Sequence, residues 1–437
     1  MAVGSVRIRI SIIGFYSAAN RGDQAIVEGM INALSSRFPG AEFDLHCHDP
    51  ETTGKLISVG TIRPVLETEG LLYPLHLVRA LVTLKYVLFK GKGISLPLPV
   101  NKEALSTLSE ADLVIVAGGA FLNDNYRPAI VGRLLTIYYA KLLHKPVWIY
   151  AHSIGPFKRP LYKRLAAFVF RRVDRISVRD PRSLKVLASL SIKKAIQVPD
   201  AAFSMPTIQD KDASHLFQGD QKGGDVHLKG RGVVHRGRDI DHKGSTIPKL
   251  PKGNLVSVSV RYWDHYSKGM THAVYLKTMA KTLDTLVEMG YTPVFASTCT
   301  GFRGYHKDDR RTALQVRKLM RHGGSTKVLT SHLSPEQLVS IYSRMEFHIG
   351  TRMHSNIFAL TAGVPVLAIA YEDKTYGLMS ILKLERYAID IEELDARRLL
   401  EMVKDIAHER DRLASDIKTR TEQLRKASMQ TPRLMSR

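Results

Sequence analysis

Short apolar runs alternate with segments of helical period along most of the chain, and this rhythm predicts its architecture. The runs Ile8–Phe15, Glu42–His48, Asp112–Ala117, Val147–His152 and Arg175–Arg179 read as strands rich in Val, Ile and Leu. Between them Asp23–Arg37, Pro128–Leu143 and Pro160–Val173 carry apolar residues at helical spacing. Strands apolar on both faces and separated by helices predict a parallel sheet covered on both sides. The pattern lapses after Ser204-Met-Pro206. From Thr207 to Gly253 the chain has nine Lys/Arg, six Asp, eight Gly and four His and little apolar periodicity, which reads as a linker or insertion.

The rhythm then restarts. Leu255–Arg261, Pro293–Thr298 and Lys327–Leu329 read as strands, with helices over Thr271–Met289 and Asp308–Met320. Ser334-Pro-Glu-Gln337 has the form of a capping box, with Ser at the N-cap, Pro at N1 and Gln at N3. Phe347–Ile349 and Val364–Ala370 read as further buried strands. Leu399, Met402, Ile406, Leu413, Ile417 and Leu424 recur at helical spacing and predict one or two C-terminal helices packed on a lobe. The expected organisation is an α/β protein: a Rossmann-like domain over 1–206, an insertion over 207–253, a second Rossmann-like domain over 254–392, and a helical segment over 393–437. The two parallel sheets are expected to face a cleft.

A length of 437 residues agrees with two cores. Charge changes the picture more. Lys and Arg outnumber Asp and Glu 64 to 41, a formal net charge of +23, which favours acidic partners without choosing among them. Cys47 and Cys299 fall in different predicted domains, so neither a disulfide framework nor a zinc cluster is supported and a reducing compartment is expected. Val6–Ile13 alternates like a strand and carries charge, unlike a secretory leader. No apolar run reaches the roughly 18 residues of a spanning helix. Leu71–Val100 is rich in Leu, Val, Tyr and Phe, with Arg79, Lys85, Lys90 and Lys92 and no acidic residue. It suits either an anionic membrane surface or plain packing on the sheet.

The candidate chemistry sits where strands end. Gly350-Thr-Arg-Met-His354 follows one strand and opens a helix, so Arg352, His354 and a helix N-terminus are presented together. A guanidinium forks onto phosphate or carboxylate oxygens, and an imidazole serves as acid or base near neutral pH. Arg261 ends another strand, as a ligand clamp or a structural ion pair, and Tyr371-Glu-Asp-Lys374 offers Lys374 as a further anion contact. In the first half, Asn20 and Asp23 follow the first strand, and Gly118 and Gly119 let the backbone approach a ligand at the end of another. Asn123, Asp124 and Asn125 then supply polar groups suited to sugar hydroxyls. Asp210-Lys-Asp212 and Asp239-Ile-Asp241 imitate metal motifs but lie in the insertion, so no metal site is assigned. No Walker loop, nucleophile elbow or nucleic-acid module is present.

Taken in order, these pieces resemble the polysaccharide pyruvyl transferase family. The resemblance runs through Asn20-Arg-Gly-Asp23, Gly118-Gly119 with Asp124, Ser153-Ile-Gly-Pro156, Val178-Arg-Asp180, Asp200-Ala-Ala-Phe203 and Val258-Ser-Val-Arg261. It continues through Gly350-Thr-Arg-Met-His354, Ala362-Gly-Val-Pro-Val366 and Tyr371-Glu-Asp-Lys374. It implies a glycosyltransferase-B-like fold, phosphoenolpyruvate as donor, and transfer of pyruvyl to a sugar as a ketal during assembly of a cell-surface polysaccharide or its precursor. It assigns His354 and Arg352 to catalysis, and Arg261, Arg352 and Lys374 to the donor. Asn20, Asp23, Gly118, Gly119 and Asp124 fall to the acceptor side. Phosphoenolpyruvate enters as a substrate and no cofactor is expected. Met353 stands where Leu is usual, and the basic insertion is a larger departure. The expected setting is the cytoplasm. A lipid-linked acceptor would add peripheral contact with the inner face of the membrane, and no nucleic-acid partner is expected. Two rivals stay open: a nucleotide-sugar glycosyltransferase of the same fold, and a non-catalytic binder of anionic glycan or nucleic acid.

Overall fold

The computed structural model describes residues 7–66, 73–88, 101–125, 129–206, 248–266, 269–301 and 307–436. The chain folds as two compact units, one formed by residues up to Pro206 with 420–436, the other by the described residues from 248 to 419. The stretch from 393 onward, expected as one appendage, is thus shared between them. Of the expected insertion, 207–247 lies outside the described residues, as do 71–72 and 89–100 of the Leu-rich stretch and the two Asp-x-Asp motifs.

In the first unit β1 (Arg9–Phe15), β2 (Glu42–Cys47), β3 (Gly60–Ile62), β4 (Leu113–Val116), β5 (Gly119–Leu122), β6 (Val147–Ile154), β7 (Arg175–Val178) and β8 (Ala195–Gln197) form one sheet in the order β3-β2-β1-β4-β6-β7-β8, with β5 added to β6. Every pairing is parallel. Ile13, Val114 and Val116 join one apolar core, and the alternation of a strand turns the equally buried Ile10, Ile12 and Ile115 to the opposite face. That core is completed by α3 (Tyr73–Leu88), α4 (Lys102–Glu110), α5 (Ala129–Leu142), α6 (Pro160–Arg172) and α7 (Pro181–Ser189). α1 (Arg21–Arg37) and α2 (Pro50–Leu56) connect the first three strands, and Asp49, Asn101 and Asp180 cap α2, α4 and α7.

β6 runs to Ile154, two residues past its expected end, because β5 gives it an extra partner. Gly119, the second of the glycine pair, therefore starts the short strand β5.

In the second unit β9 (Asn254–Ser259), β10 (Tyr291–Phe295), β11 (Lys327–Val328), β12 (Phe347–Gly350), β13 (Val366–Ala370) and β14 (Ala388–Asp390) form a parallel sheet in the order β11-β10-β9-β12-β13-β14. Its helices are α8 (His272–Glu288), α9 (Asp309–Leu319), α10 (Pro335–Tyr342), α11 (Met353–Thr361), α12 (Asp373–Ile381) and α13 (Ala396–His408). Both halves of the capping box at Ser334 and Gln337 are made. Leu399, Met402 and Ile406 form the buried stripe of α13, as their spacing predicts. The last helix, α14 (Arg410–Met435), supplies Leu413 and Ile417 to the second unit's residues and Ser428 and Met435 to the first. There Ser428 bonds Ser204 at 2.9 Å, and the Met435 carbonyl accepts from Arg175 at 3.2 Å.

Both sheets are doubly wound α/β layers of the Rossmann type. In each, strand order reverses beside the first strand, between β1 and β4 and again between β9 and β12. Ligands of such sheets sit at the carboxyl ends of the strands flanking that reversal.

Candidate functional site

At the second unit's reversal, Ser259 ends β9 opposite Gly350, which ends β12 opposite Ala368 of β13. The chain leaving these three strands brings Arg261, Arg352 and the Tyr371–Lys374 segment to one edge. The Arg261 guanidinium lies 4.1 Å from the centre of the Tyr371 ring and 5.0 Å from that of Trp263, and the two rings are 4.7 Å apart. Lys374 approaches the same Tyr371 ring at 5.5 Å and pairs with Glu372 at 2.5 Å. Tyr371 also acts electrostatically on Arg352. Two of the three cations expected to serve one anion, Arg261 and Lys374, thus pack on one aromatic ring.

Arg352 is the N-cap residue of α11 but its side chain makes no cap. It turns instead to Asp309, the first residue of α9, with Nε 2.9 Å from Oδ2 and Nη2 2.6 Å from Oδ1. Burial works against the charge, yet Asp309, with smaller help from Cys299 and Tyr371, more than offsets it and keeps Arg352 well above its ordinary range. One edge of the fork is committed. Asp309 is its hydrogen-bonding partner among the described residues, which leaves the Nη1 side for a ligand. Asp309 was invisible as a site residue in sequence, where it reads only as a helix start.

The start of α11 is held from below by a chain of hydrogen bonds. The Ser355 hydroxyl donates to the Arg352 carbonyl at 2.6 Å and lies 3.1 Å from Nε2 of His348, whose Nδ1 is 2.8 Å from the Ser257 hydroxyl. Because Ser355 already donates, the network assigns the proton to Nε2 of His348 and makes Ser257 the donor to Nδ1. Burial lowers the His348 pKa to about 3, so the ring is neutral. A Cβ on Gly350 would lie 1.8 Å from the Asn356 side-chain oxygen and 2.4 Å from Nε2 of His348, so only glycine fits there. The hydroxyl of Tyr275 on α8 reaches Thr351 at 2.8 Å, and burial raises that phenol to about 12. His354 is half-buried in the first turn of α11, whereas its neighbour Met353 belongs to the core.

The first unit's reversal gathers the other predicted residues. Asn20 caps α1 through the Gly22 amide at 3.0 Å and donates to Asp23 at 2.9 Å. A Cβ on Gly118 would meet Ile26 of α1 at 2.9 Å and the Tyr150 carbonyl at 3.2 Å, so this glycine serves close packing. Gly119 has φ +154 and sits against the Phe121 ring. Asp124 is buried, and its Oδ2 accepts from the backbone amides of Lys158 at 2.7 Å and Arg159 at 2.9 Å, tying down the entry to α6.

Three sequence motifs are joined by one residue. Arg179 donates to Ser153 at 2.8 Å and to Asp200 at 2.5 Å. Beside it burial lowers the pKa of His152 to about 3. Among the described residues no group of three or more His, Cys, Asp or Glu is placed to hold a metal ion. Cys47 and Cys299 are free and buried, and no described helix is long and apolar enough to cross a membrane.

Comparison with known proteins adds three findings. The family model for polysaccharide pyruvyl transferase matches residues 20–373. The amylovoran biosynthesis protein AmsJ of Erwinia amylovora is 27% identical over 429 residues, covering 96% of each chain. Among solved structures, UDP-GlcNAc 2-epimerase from Methanocaldococcus jannaschii superposes with a TM-score of 0.58 at 11% identity, over 98% of this chain and 99% of that one. Sucrose-phosphate synthase from Thermosynechococcus elongatus gives 0.53 at 14% identity, over 98% of both chains. Identities this low show a shared glycosyltransferase-B-like fold and nothing about chemistry.

Proposed function

The chain belongs to the polysaccharide pyruvyl transferase family, and from that premise we propose that it transfers pyruvyl from phosphoenolpyruvate to a sugar of a cell-surface polysaccharide or its precursor, as a ketal. The observation that carries this reading is the set of cations at the second unit's strand reversal: Arg261 and Lys374 on the Tyr371 ring, beside an Arg352 oriented by Asp309. Phosphoenolpyruvate has two anionic ends. Such a donor suits several fixed cations together with a helix start that Arg352 leaves uncapped.

The steps balance without a further cofactor. His354 as imidazolium gives a proton to the methylene carbon of the enol ester, leaving positive charge at the carbon that bears carboxylate and phosphate. A sugar hydroxyl adds there and its proton returns to His354. The C–O bond to phosphate then breaks, and a second hydroxyl adds at the same carbon, its proton leaving with the phosphate, to close the ketal. Arg261, Lys374 and the open side of Arg352 hold the carboxylate and the departing phosphate. Asn20 and Asp23, with the Gly118-Gly119 segment, are the residues we assign to the acceptor, and Asp124 shapes the neighbouring loop. We assign the reaction to the cytoplasm.

Incubation with phosphoenolpyruvate and a panel of sugar acceptors should release phosphate and add the mass of a pyruvyl ketal to one sugar. His354→Ala should lower turnover about 10²–10⁴-fold, and near-normal pyruvylation by both His354→Ala and Arg352→Ala would end the assignment. Protection from heat by phosphoenolpyruvate, and not by uridine or guanosine diphosphate sugars, separates this reading from a nucleotide-sugar transferase.

A further inference from the structure

We propose that the face of the first unit formed by α3, α5 and α6 docks the protein on an anionic lipid surface. The three helices are neighbours over one core: the Tyr139 hydroxyl of α5 donates to the Ala80 carbonyl of α3 at 2.6 Å, and Tyr138 of α5 meets Phe168 of α6 with ring centres 5.3 Å apart. Their 16, 14 and 13 residues contain eight Lys or Arg and no Asp or Glu. The whole chain has 41 acidic residues in 437, so about four would be expected in a stretch this long.

Charge is only half of the pattern. On α3, Leu81 and Leu88 are 59% and 57% exposed and flank the exposed Lys85 at i, i+4 and i+7. On α6, Leu161 and Phe168 are 63% and 41% exposed and flank the exposed Arg164. The two helices that pack on α5, α3 and α6, therefore each show the same stripe, apolar then cationic then apolar, on the side away from their core. Arg172 lies 3.6 Å from the centre of the Phe168 ring, a cation and an aromatic ring packed at one level. Large apolar side chains between long cationic ones suit a headgroup boundary, where the first enter the acyl region and the second remain with phosphates. A nucleic acid would use the charge and leave the exposed leucines without a role. The nearby acid Asp174 is engaged by Lys141 at 2.7 Å and does not cancel the field of α6.

Vesicle flotation of the full chain tests this without substrate, so its outcome is independent of the proposed reaction. The protein should float with phosphatidylcholine vesicles containing phosphatidylglycerol and remain at the bottom with phosphatidylcholine alone. Leu161→Glu with Phe168→Glu should weaken flotation about tenfold or more, as should Arg164→Glu with Arg171→Glu. Leu81→Ser with Leu161→Ser is a milder pair for the case in which glutamates disturb folding, checked by unchanged thermal unfolding. Leu319→Glu, an exposed leucine of the second unit, should float like the parent. Failure of the parent to bind phosphatidylglycerol vesicles overturns the proposal. So does flotation unaffected by the apolar substitutions, competition by an RNA oligonucleotide to which those substitutions are indifferent, or a change in oligomeric state in their place.

Discussion

Each unit places a buried arginine–aspartate pair at the carboxyl edge of its parallel sheet, and the two pairs do different work. Arg179 and Asp200 are each 5% exposed at the side chain, and the arginine divides its donors between Asp200 and Ser153. It binds the end of β6, the segment after β7 and the Asp200 turn of the first unit into one scaffold. Arg352 and Asp309 are 13% and 3% exposed, and Asp309 takes both bonds on one edge of the guanidinium. Arg261 and Lys374 gather close by on Tyr371. The first pair spreads its donors over the unit and holds the fold, whereas under the proposed function the second, bonded along one edge, aims a cation at the donor. Residue type alone does not distinguish them.

The largest effect should come from breaking either pair. Arg179→Ala and Arg352→Ala each remove the charged partner of a buried carboxylate and should cost about 3–5 kcal/mol in urea unfolding. Arg352→Lys sharpens the contrast. It keeps a charge for Asp309 but loses the fork, so donor use should suffer far more than stability, and equal losses of both would make the pair a scaffold like its counterpart.

Next come the glycines. Gly350→Ala should destabilise by about 1–3 kcal/mol, since its Cβ would strike the buried Asn356 and His348. Gly118→Ala should cost less, because its nearest contacts, the Ile26 Cγ2 methyl at 2.9 Å and the Tyr150 carbonyl at 3.2 Å, are much less close than those at Gly350. Equal melting temperatures for the two variants would contradict this ranking.

The buried histidines carry a pH dependence common to both units. His152 and His348 are held neutral, with pKa values near 3 against an ordinary 6.5. Between those values the unfolded chain binds more protons than the folded one, so stability is full above pH 6.5 and is lost as pH falls toward 3. Replacing His348 by Gln should flatten the acid limb of the second unit, measured by melting temperature against pH.

The smallest effect on stability belongs to Arg261→Ala. It is half-buried and stacks on rings without a carboxylate partner among the described residues, so unfolding should shift by under about 1 kcal/mol. The apparent affinity for phosphoenolpyruvate should fall about 10–100-fold. A stability loss as large as that of Arg179→Ala would remove the distinction between clamp and scaffold.

Much of the fold was legible because its signals are local. The strand and helix positions follow from apolar period, the α10 start from a capping box, and the α13 stripe from Leu399, Met402 and Ile406. The short strands β3, β5, β8 and β14 were not, since three or four residues carry too little period to register. At the site, Arg261, Arg352, His354 and Lys374 were legible as polar residues just past buried strands. Asp309 was missed because it lies 43 residues from Arg352 and serves, locally, as a helix start. Asp124 had a sugar-facing appearance in sequence, yet its Oδ2 is bonded to backbone 34 and 35 residues away.

The order of strands, helices and polar strand ends was set by the chain's own local pattern, because hydrogen bonds within a helix and the alternation of a strand depend on neighbours in sequence. Which arginine would hold loops together and which would be aimed outward was decided only on folding. A guanidinium takes its partner from whatever carboxylate the packed sheet brings within about 3 Å, and that distance belongs to the assembled sheet rather than to any stretch of the chain.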